Sequence, residues 1–295
     1  MLASAGFVRH GKTRWPKEFA QVRFLESSAF SRNGLFSGLV VIGFANGISQ
    51  KVTDALHSQG WAMAVFNTFG ISIVVWSAGL LAIALLLSEE PRRVAPLDVA
   101  AAAFAAAAFL TPVPSASWLA LFGIAVYLFN SRQSGGYFRR AAAVILALTV
   151  PLFWARLLFA ALSNPILEMD AALVGWIVGT ESIANTVPLA DRSGMLVIEP
   201  GCSSLSNVSI AILCSVLVVN IYRRHWTAGI VFFSFLACAL TILINVGRIS
   251  LIGYYPEYYA VIHGPAGATL AAWLTLAGIL AICIKGIRPC GSTSV

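Results

Sequence analysis

Residues 74–87 and 229–240 contain no charged side chain and show no alternation of apolar and polar positions. Runs of this kind constrain the fold more than any other feature of the chain. Hydrophobic residues make up 59% of the sequence and charged residues 11%, with a mean hydropathy of +0.84. A water-soluble core of this size cannot absorb that much apolar surface. Lipid can, provided the backbone satisfies its own hydrogen bonds, which leaves helices or a closed barrel. Barrel strands alternate over about 10 residues, so the uninterrupted runs select helices. The expected fold is an all-α polytopic membrane protein with about eight transmembrane helices and a small extracytoplasmic β-hairpin-like loop.

The apolar runs fall at 35–48, 62–87, 97–111, 118–129, 141–162, 208–221, 227–246 and 266–284. A crossing takes about 20 residues, and the first, third, fourth and sixth runs are short by that measure. The third and fourth flank Thr111-Pro-Val-Pro114, which reads as the turn of a tight hairpin. The net charge of +7 resembles a nucleic-acid signal. Its Lys and Arg lie between the apolar runs, however, where they act as topology signals at the lipid surface, and no nucleic-acid partner is expected. Placing the N-terminus inside puts Arg92, Arg93, Arg132, Arg139, Arg140, Arg223, Arg224, Lys285 and Arg288 inside as well. Only Lys51, Arg192 and Arg248 then lie outside, with Arg156 within a span.

The resulting division is a cytoplasmic basic segment at 1–34, N-terminal membrane helices at 35–162 and an extracytoplasmic loop at 163–206. Catalytic membrane helices follow at 207–285, then a cytoplasmic tail at 286–295. The basic N-terminal segment does not read as a secretory leader. In the long loop, 182–189 and 195–198 flank Asp191-Arg-Ser-Gly194, a turn between two β-prone runs.

Cys214, Cys238 and Cys283 lie inside apolar runs and read as packing; Cys290 lies in the tail. Cys202 is placed alone on the outer side, without a disulfide partner. Pro200 and Gly201 precede it, and Ser203, Ser204 and Ser206 are cap candidates for the next helix. A thiol at a helix N-terminus is favoured as thiolate by unpaired N–H groups and the helix dipole. Arg248 ends the following run in Asn245-Val-Gly-Arg248, and His263 begins the last in His263-Gly-Pro-Ala-Gly267. A nucleophile, a fixed cation and a proton shuttle thus share one level of the bilayer. Acyl transfer by a cysteine needs these three parts.

Cys202-Ser-Ser-Leu205, Asn245-Val-Gly-Arg248 and His263 followed by Gly267 resemble, in order and spacing, the motifs of the exosortase/archaeosortase family of membrane transpeptidases. The match covers roughly the last third of the chain. Ser204 stands where many members have Gly, and Gly201 where Ala is common. The resemblance implies a thiol-dependent enzyme of the plasma (inner) membrane, with its site on the extracytoplasmic side. Its substrates would be membrane-tethered exported proteins bearing a C-terminal sorting signal: a short motif, an apolar helix and a basic tail. The acyl group would pass to an acceptor linked to exopolysaccharide, lipid or the cell surface. The resemblance implies Cys202, Arg248 and His263 as catalytic residues, with Ser203, Asn245 and Gly267 supporting them. It implies no cofactor and no metal. The rival readings are a transporter, which would need paired ionisable residues deep in the spans, and a non-catalytic scaffold for polysaccharide assembly, in which Cys202 would be replaceable.

Overall fold

The computed structural model describes residues 31–288. The basic segment before Ser31, the tail beyond Arg288 and Cys290 lie outside the described residues. The chain forms a bundle of helices joined by short turns and one long loop. They are α1 (Arg32–Phe66), α2 (Ile73–Leu87), α3 (Pro96–Phe109), α4 (Pro114–Asn130), α5 (Gly136–Thr149), α6 (Ala155–Val178), α7 (Ser204–Ile221), α8 (Ala228–Tyr254), α9 (Tyr259–Ile262) and α10 (Pro265–Ile287). This is the architecture of an all-α membrane protein.

Five helical stretches are long and apolar enough to cross a bilayer: Arg32–Phe66, Gly136–Val178, Pro200–Ile221, Ala228–Tyr254 and Pro265–Ile287. The expected count of eight is not reached on that criterion. Helices α2, α3 and α4 hold 15, 14 and 17 residues. At 1.5 Å per residue these reach only about 21–26 Å, against a hydrocarbon core of about 30 Å. The run 62–87 is not one helix either. Gly60 takes a left-handed φ of 73° within α1, and the chain then turns through Thr68–Gly70 before α2 begins.

Helix α5 passes into α6 through a widened turn at Val150–Trp154 that contains Pro151. Proline has no N–H to give the preceding turn, and a π-type turn absorbs the missing bond. A second break, at Leu162, precedes Pro165. The helix continues to Val178, where Gly179 caps it at φ 79°. The long loop therefore starts at Gly179, and the expected loop boundary at Ser163 falls inside a helix.

Close approach of α1 to α3 and α4 rests on two glycines one turn apart. A Cβ on Gly47 would lie 2.5 Å from the Trp118 ring, and one on Gly43 would lie 2.7 Å from the Phe109 ring. Trp118 in turn donates Nε1 to the Gly47 carbonyl at 3.1 Å. Small residues spaced by four are a usual device for bringing membrane helices together.

The two ends of the bundle differ. At one end, Arg32 is fully buried and donates Nε to Asp98 Oδ1 at 2.9 Å. The same guanidinium reaches Ser131 Oγ and the Gln133 carbonyl, and lies over the Phe36 and Phe138 rings. Asp98 also accepts from Tyr127 Oη and from the Ala95 backbone. This network ties together the starts of α1, α3 and α5 and the end of α4. Glu89, just beyond α2, caps α5 by accepting from the Tyr137 and Phe138 backbones. Arg140 of α5 donates to the Asn220 carbonyl, so α7 ends here as well. At the opposite end lie the α3–α4 turn, the loop after α6 and the start of α7.

That loop carries the expected hairpin. Strands β1 (Thr186–Pro188) and β2 (Met195–Val197) pair antiparallel, with Val187 opposite Leu196. Val187 and Ile198 are buried among Leu167, Ala171, Val174, Val246 and Ile249, which seats the hairpin on α6 and α8. Ala190 donates to the Gly253 carbonyl at 3.0 Å, and Tyr254 Oη donates to the Ile177 carbonyl at 2.6 Å.

Candidate active site

The chain leaves β2 through Ile198, whose N–H is held by the Asn185 carbonyl at 2.8 Å. Pro200–Cys202 then forms one tight turn, with Cys202 N–H donating to the Glu199 carbonyl at 2.9 Å. Ser203 is the N-cap of α7: its Oγ accepts from Leu205 N–H at 3.3 Å. The next free donor, Ser204 N–H, goes to Asp170 Oδ2 at 2.9 Å. Asp170 is 3% exposed and stands on α6, within the segment expected as loop at 163–206.

These contacts alter the expected environment of the thiol. Cys202 stands before the cap, and the first N–H groups of α7 are taken by Ser203 and Asp170. The thiol meets a histidine instead. Cys202 Sγ lies 3.6 Å from His263 Nε2. That is hydrogen-bond range for sulfur, and proton exchange between the two groups needs no intermediary.

His263 does not begin the last long helix. It closes the short α9, where its N–H donates to the Tyr259 carbonyl at 2.8 Å. Its ring stacks on that of Tyr259, with centroids 4.9 Å apart and planes at 7°. Gly264 then caps α10, and Pro265 occupies the first turn. Gly267 lets α10 start directly against the end of α9: a Cβ there would lie 2.2 Å from the Ile262 carbonyl oxygen. The absence of a side chain at Gly267 thus bears on the placement of His263.

Asn245 has a clear task. From α8 its Nδ2 donates to the Cys202 carbonyl at 2.6 Å and to Ser204 Oγ at 3.1 Å. It is 5% exposed. It locks the backbone of the Cys202 turn onto α8 as Asp170 locks it onto α6. Ser203, 3% exposed, caps the helix and is not at the thiol.

Arg248 follows Asn245 by three residues, so it shares that face of α8 one turn further along. The expectation that Arg248 ends its helix is corrected: α8 continues to Tyr254 because its apolar run resumes at Ile249. Arg248 is half-buried and makes no hydrogen bond or ion pair with the described residues, Cys202 and His263 included. The structure thus brings Cys202 and His263 together, fixes the Cys202 backbone through Asn245, and sets Arg248 on the adjoining turn as an unengaged cation. Among the described residues, no group of three or more His, Cys, Asp or Glu side chains comes together to hold a metal ion.

The remaining cysteines sit elsewhere. Cys214 and Cys283 are buried and Cys238 is half-buried, with Cys283 Sγ 3.4 Å from Ser215 Oγ. No family model matches the chain, nor does any curated protein or solved structure.

Proposed function

We propose that this chain is a membrane-embedded cysteine transpeptidase or protease of the exosortase/archaeosortase type. It would act on exported proteins tethered by a C-terminal helix with a basic tail. The observation that carries this reading is the 3.6 Å contact between Cys202 Sγ and His263 Nε2, made by residues from separate helical connections.

In the proposed reaction the Cys202 thiol gives its proton to His263 Nε2, which requires that nitrogen to start unprotonated. The thiolate attacks the carbonyl carbon of the scissile peptide, and the carbonyl oxygen becomes an oxyanion. Arg248 supplies the positive charge for that oxygen. The tetrahedral centre collapses to a thioester as His263 returns the proton to the leaving amine. An acceptor amine or hydroxyl, or water, then attacks the thioester with His263 as base, releasing the thiol. Asn245 and Asp170 hold the nucleophile's turn throughout. In this reading α2, α3 and α4 complete eight crossings by local thinning of the bilayer or by tilt of their neighbours. The dyad's end of the bundle faces the extracytoplasmic side of the plasma membrane, and an exopolysaccharide-linked or lipid-linked acceptor reaches it there.

The test is release of the C-terminal tail from a tailed substrate in cells, with expression matched. Cys202→Ala is expected to abolish release while the protein stays folded and inserted. Wild-type release by that variant would remove Cys202 as nucleophile and the enzyme reading with it.

A further inference from the structure

Between α1 and the α3–α4 turn lies a cleft of about 520 Å³. Asn46, Ser49 and Gln50 line it from α1, and their spacing of three and four residues puts them on one helix face. Thr111 lines it from the turn and Ser117 from the start of α4. None of the residues lining it carries a charge.

Trp118, the next residue of α4, packs on Gly47 and gives its indole N–H to the Gly47 carbonyl. Ser117 has no such outlet. It is 1% exposed, and its Oγ makes no hydrogen bond among the described residues. Helical serines can bond back to a carbonyl of the preceding turn, as Ser49 and Ser58 do here. A buried hydroxyl left unmatched is costly, and a ligand in the cleft would match it. The rest of the lining also has capacity to spare. Asn46 gives Nδ2 to the Phe109 carbonyl at 2.8 Å, and its Oδ1 accepts from no described residue. Thr111 and Ser49 donate to backbone carbonyls and keep their acceptor lone pairs. The exposed Gln50 amide bonds to no described residue.

The cleft therefore presents neutral donors and neutral acceptors side by side. An ionic ligand would find no countercharge among the lining residues, and a wholly apolar one would bury these groups unpaired. A ligand rich in hydroxyls answers both kinds of group, since each hydroxyl donates and accepts. The exposed Leu110 and Val113 also line the cleft and suit the C–H faces of a sugar ring. Its volume lies within the about 300–1,000 Å³ of small-molecule sites.

We propose that this cleft binds a neutral saccharide, with sugar hydroxyls on Ser117, Asn46 and Gln50. The site is independent of the chemistry at Cys202. A soluble sugar and the headgroup of an uncharged glycolipid share the recognising chemistry, and the two are separated by experiment.

The full chain is extracted without a sugar-based detergent and placed in phosphatidylcholine nanodiscs, with or without monoglucosyl diacylglycerol. Bound lipid is counted by mass spectrometry, and maltose binding is followed by saturation-transfer NMR. Wild type is expected to bind maltose in the millimolar range. Enrichment of the glucolipid, with its displacement by maltose, would assign the site to a glycolipid headgroup; maltose binding without enrichment would assign it to a soluble sugar. Ser117→Ala is expected to weaken binding about fivefold, the scale of one neutral hydrogen bond. Its thermal unfolding without sugar should be unchanged or higher, because the hydroxyl removed bonds nothing in the protein. Gln50→Ala is expected to weaken binding as well, and Ser88→Ala, in an exposed cap at the far end of α2, to leave it unchanged. Binding of neither sugar would overturn the proposal. Wild-type affinity in both Ser117→Ala and Gln50→Ala would overturn the cleft as the site. Equal competition by glycerol would overturn the saccharide class.

Discussion

Cys202 and His263 are separated by 61 positions in sequence, yet the thiol sulfur of one lies 3.6 Å from Nε2 of the other. The sulfur comes from the turn before α7 and the imidazole from the end of α9. If His263 is the acid and base of the reaction, His263→Ala should lower tail release by about 10²–10⁴. The same change should slow alkylation of Cys202 by iodoacetamide near neutral pH, because the thiol loses its proton acceptor. Unchanged alkylation and unchanged release would separate the contact from any chemistry.

Arg248 supplies a second measurement. It is half-buried, unengaged and one turn along α8 from Asn245. Arg248→Gln is expected to lower the rate of tail release by about 10²–10³, the scale of losing an oxyanion donor. Arg248→Lys keeps the charge without the planar fork and is expected to restore only a small part. Full rescue by lysine would assign a purely electrostatic role. The comparison should be made at saturating substrate, so that the loss is read in kcat.

The turn that carries Cys202 is held by Asn245 from α8 and by Asp170 from α6. Asp170→Ala leaves the buried Ser204 N–H without an acceptor and is expected to cost about 1–3 kcal/mol. Asp170→Asn can still accept that hydrogen bond and should cost less. Thermal unfolding in detergent would order the three proteins, with wild type highest. An alanine variant as stable as wild type would show that water replaces the carboxylate.

The Arg32–Asp98 pair, with both side chains at 0% exposure, calls for a different pattern. Arg32→Met alone strands a buried carboxylate and is expected to destabilise by about 3–5 kcal/mol. Adding Asp98→Leu should recover most of that loss, since an apolar pair of similar volume is often neutral. A double variant no better than the single would show that the Tyr127 and Ala95 contacts to Asp98 matter more than the charge.

The hairpin turn gives a pH dependence. Asp191 accepts from the Ser193 backbone and hydroxyl, and those bonds hold its carboxyl below the usual carboxylate range. A depressed folded pKa stabilises the turn above the unfolded value, and the effect fades as pH falls through the folded value. The Ser193 amide should therefore stay protected from exchange at pH values where an ordinary aspartate is already protonated. In Asp191→Ala that protection should be absent at every pH.

Much of the site was legible because residue type and order are sequence properties. Cys202, Asn245 and His263 could be named together, and Asp191 to Gly194 marked the hairpin turn. What escaped was contact between distant segments. Asp170 fell within the expected loop, since nothing in its neighbourhood shows that the helix resumes beyond the kink at Leu162. Arg32 was counted among surface basic residues, although Asp98, 66 positions on, draws it fully inside. The partners of Gly43 and Gly47, Phe109 and Trp118, lie on other helices. The overlong run at 62–87 misled because apolarity measures affinity for lipid and carries no record of the turn at Thr68–Gly70.

Helix α10 is anchored only toward its far end. Its buried residues are Ile279, Cys283 and Ile287, and Gly278 and Gly286 meet α8 through Leu240 and Phe233. Near its start, Leu270, Trp273 and Leu274 are exposed. The helix is therefore a lever with its fulcrum deep in the bundle and His263 just beyond the free end. From Ile279 to His263 the arm is about 24 Å at 1.5 Å per residue, so a swing of about 5° carries the imidazole about 2 Å. That displacement suffices to break the contact with Cys202, whose own turn is pinned from both sides. The spacing of the pair thus depends on how firmly the first turns of α10 are held in place.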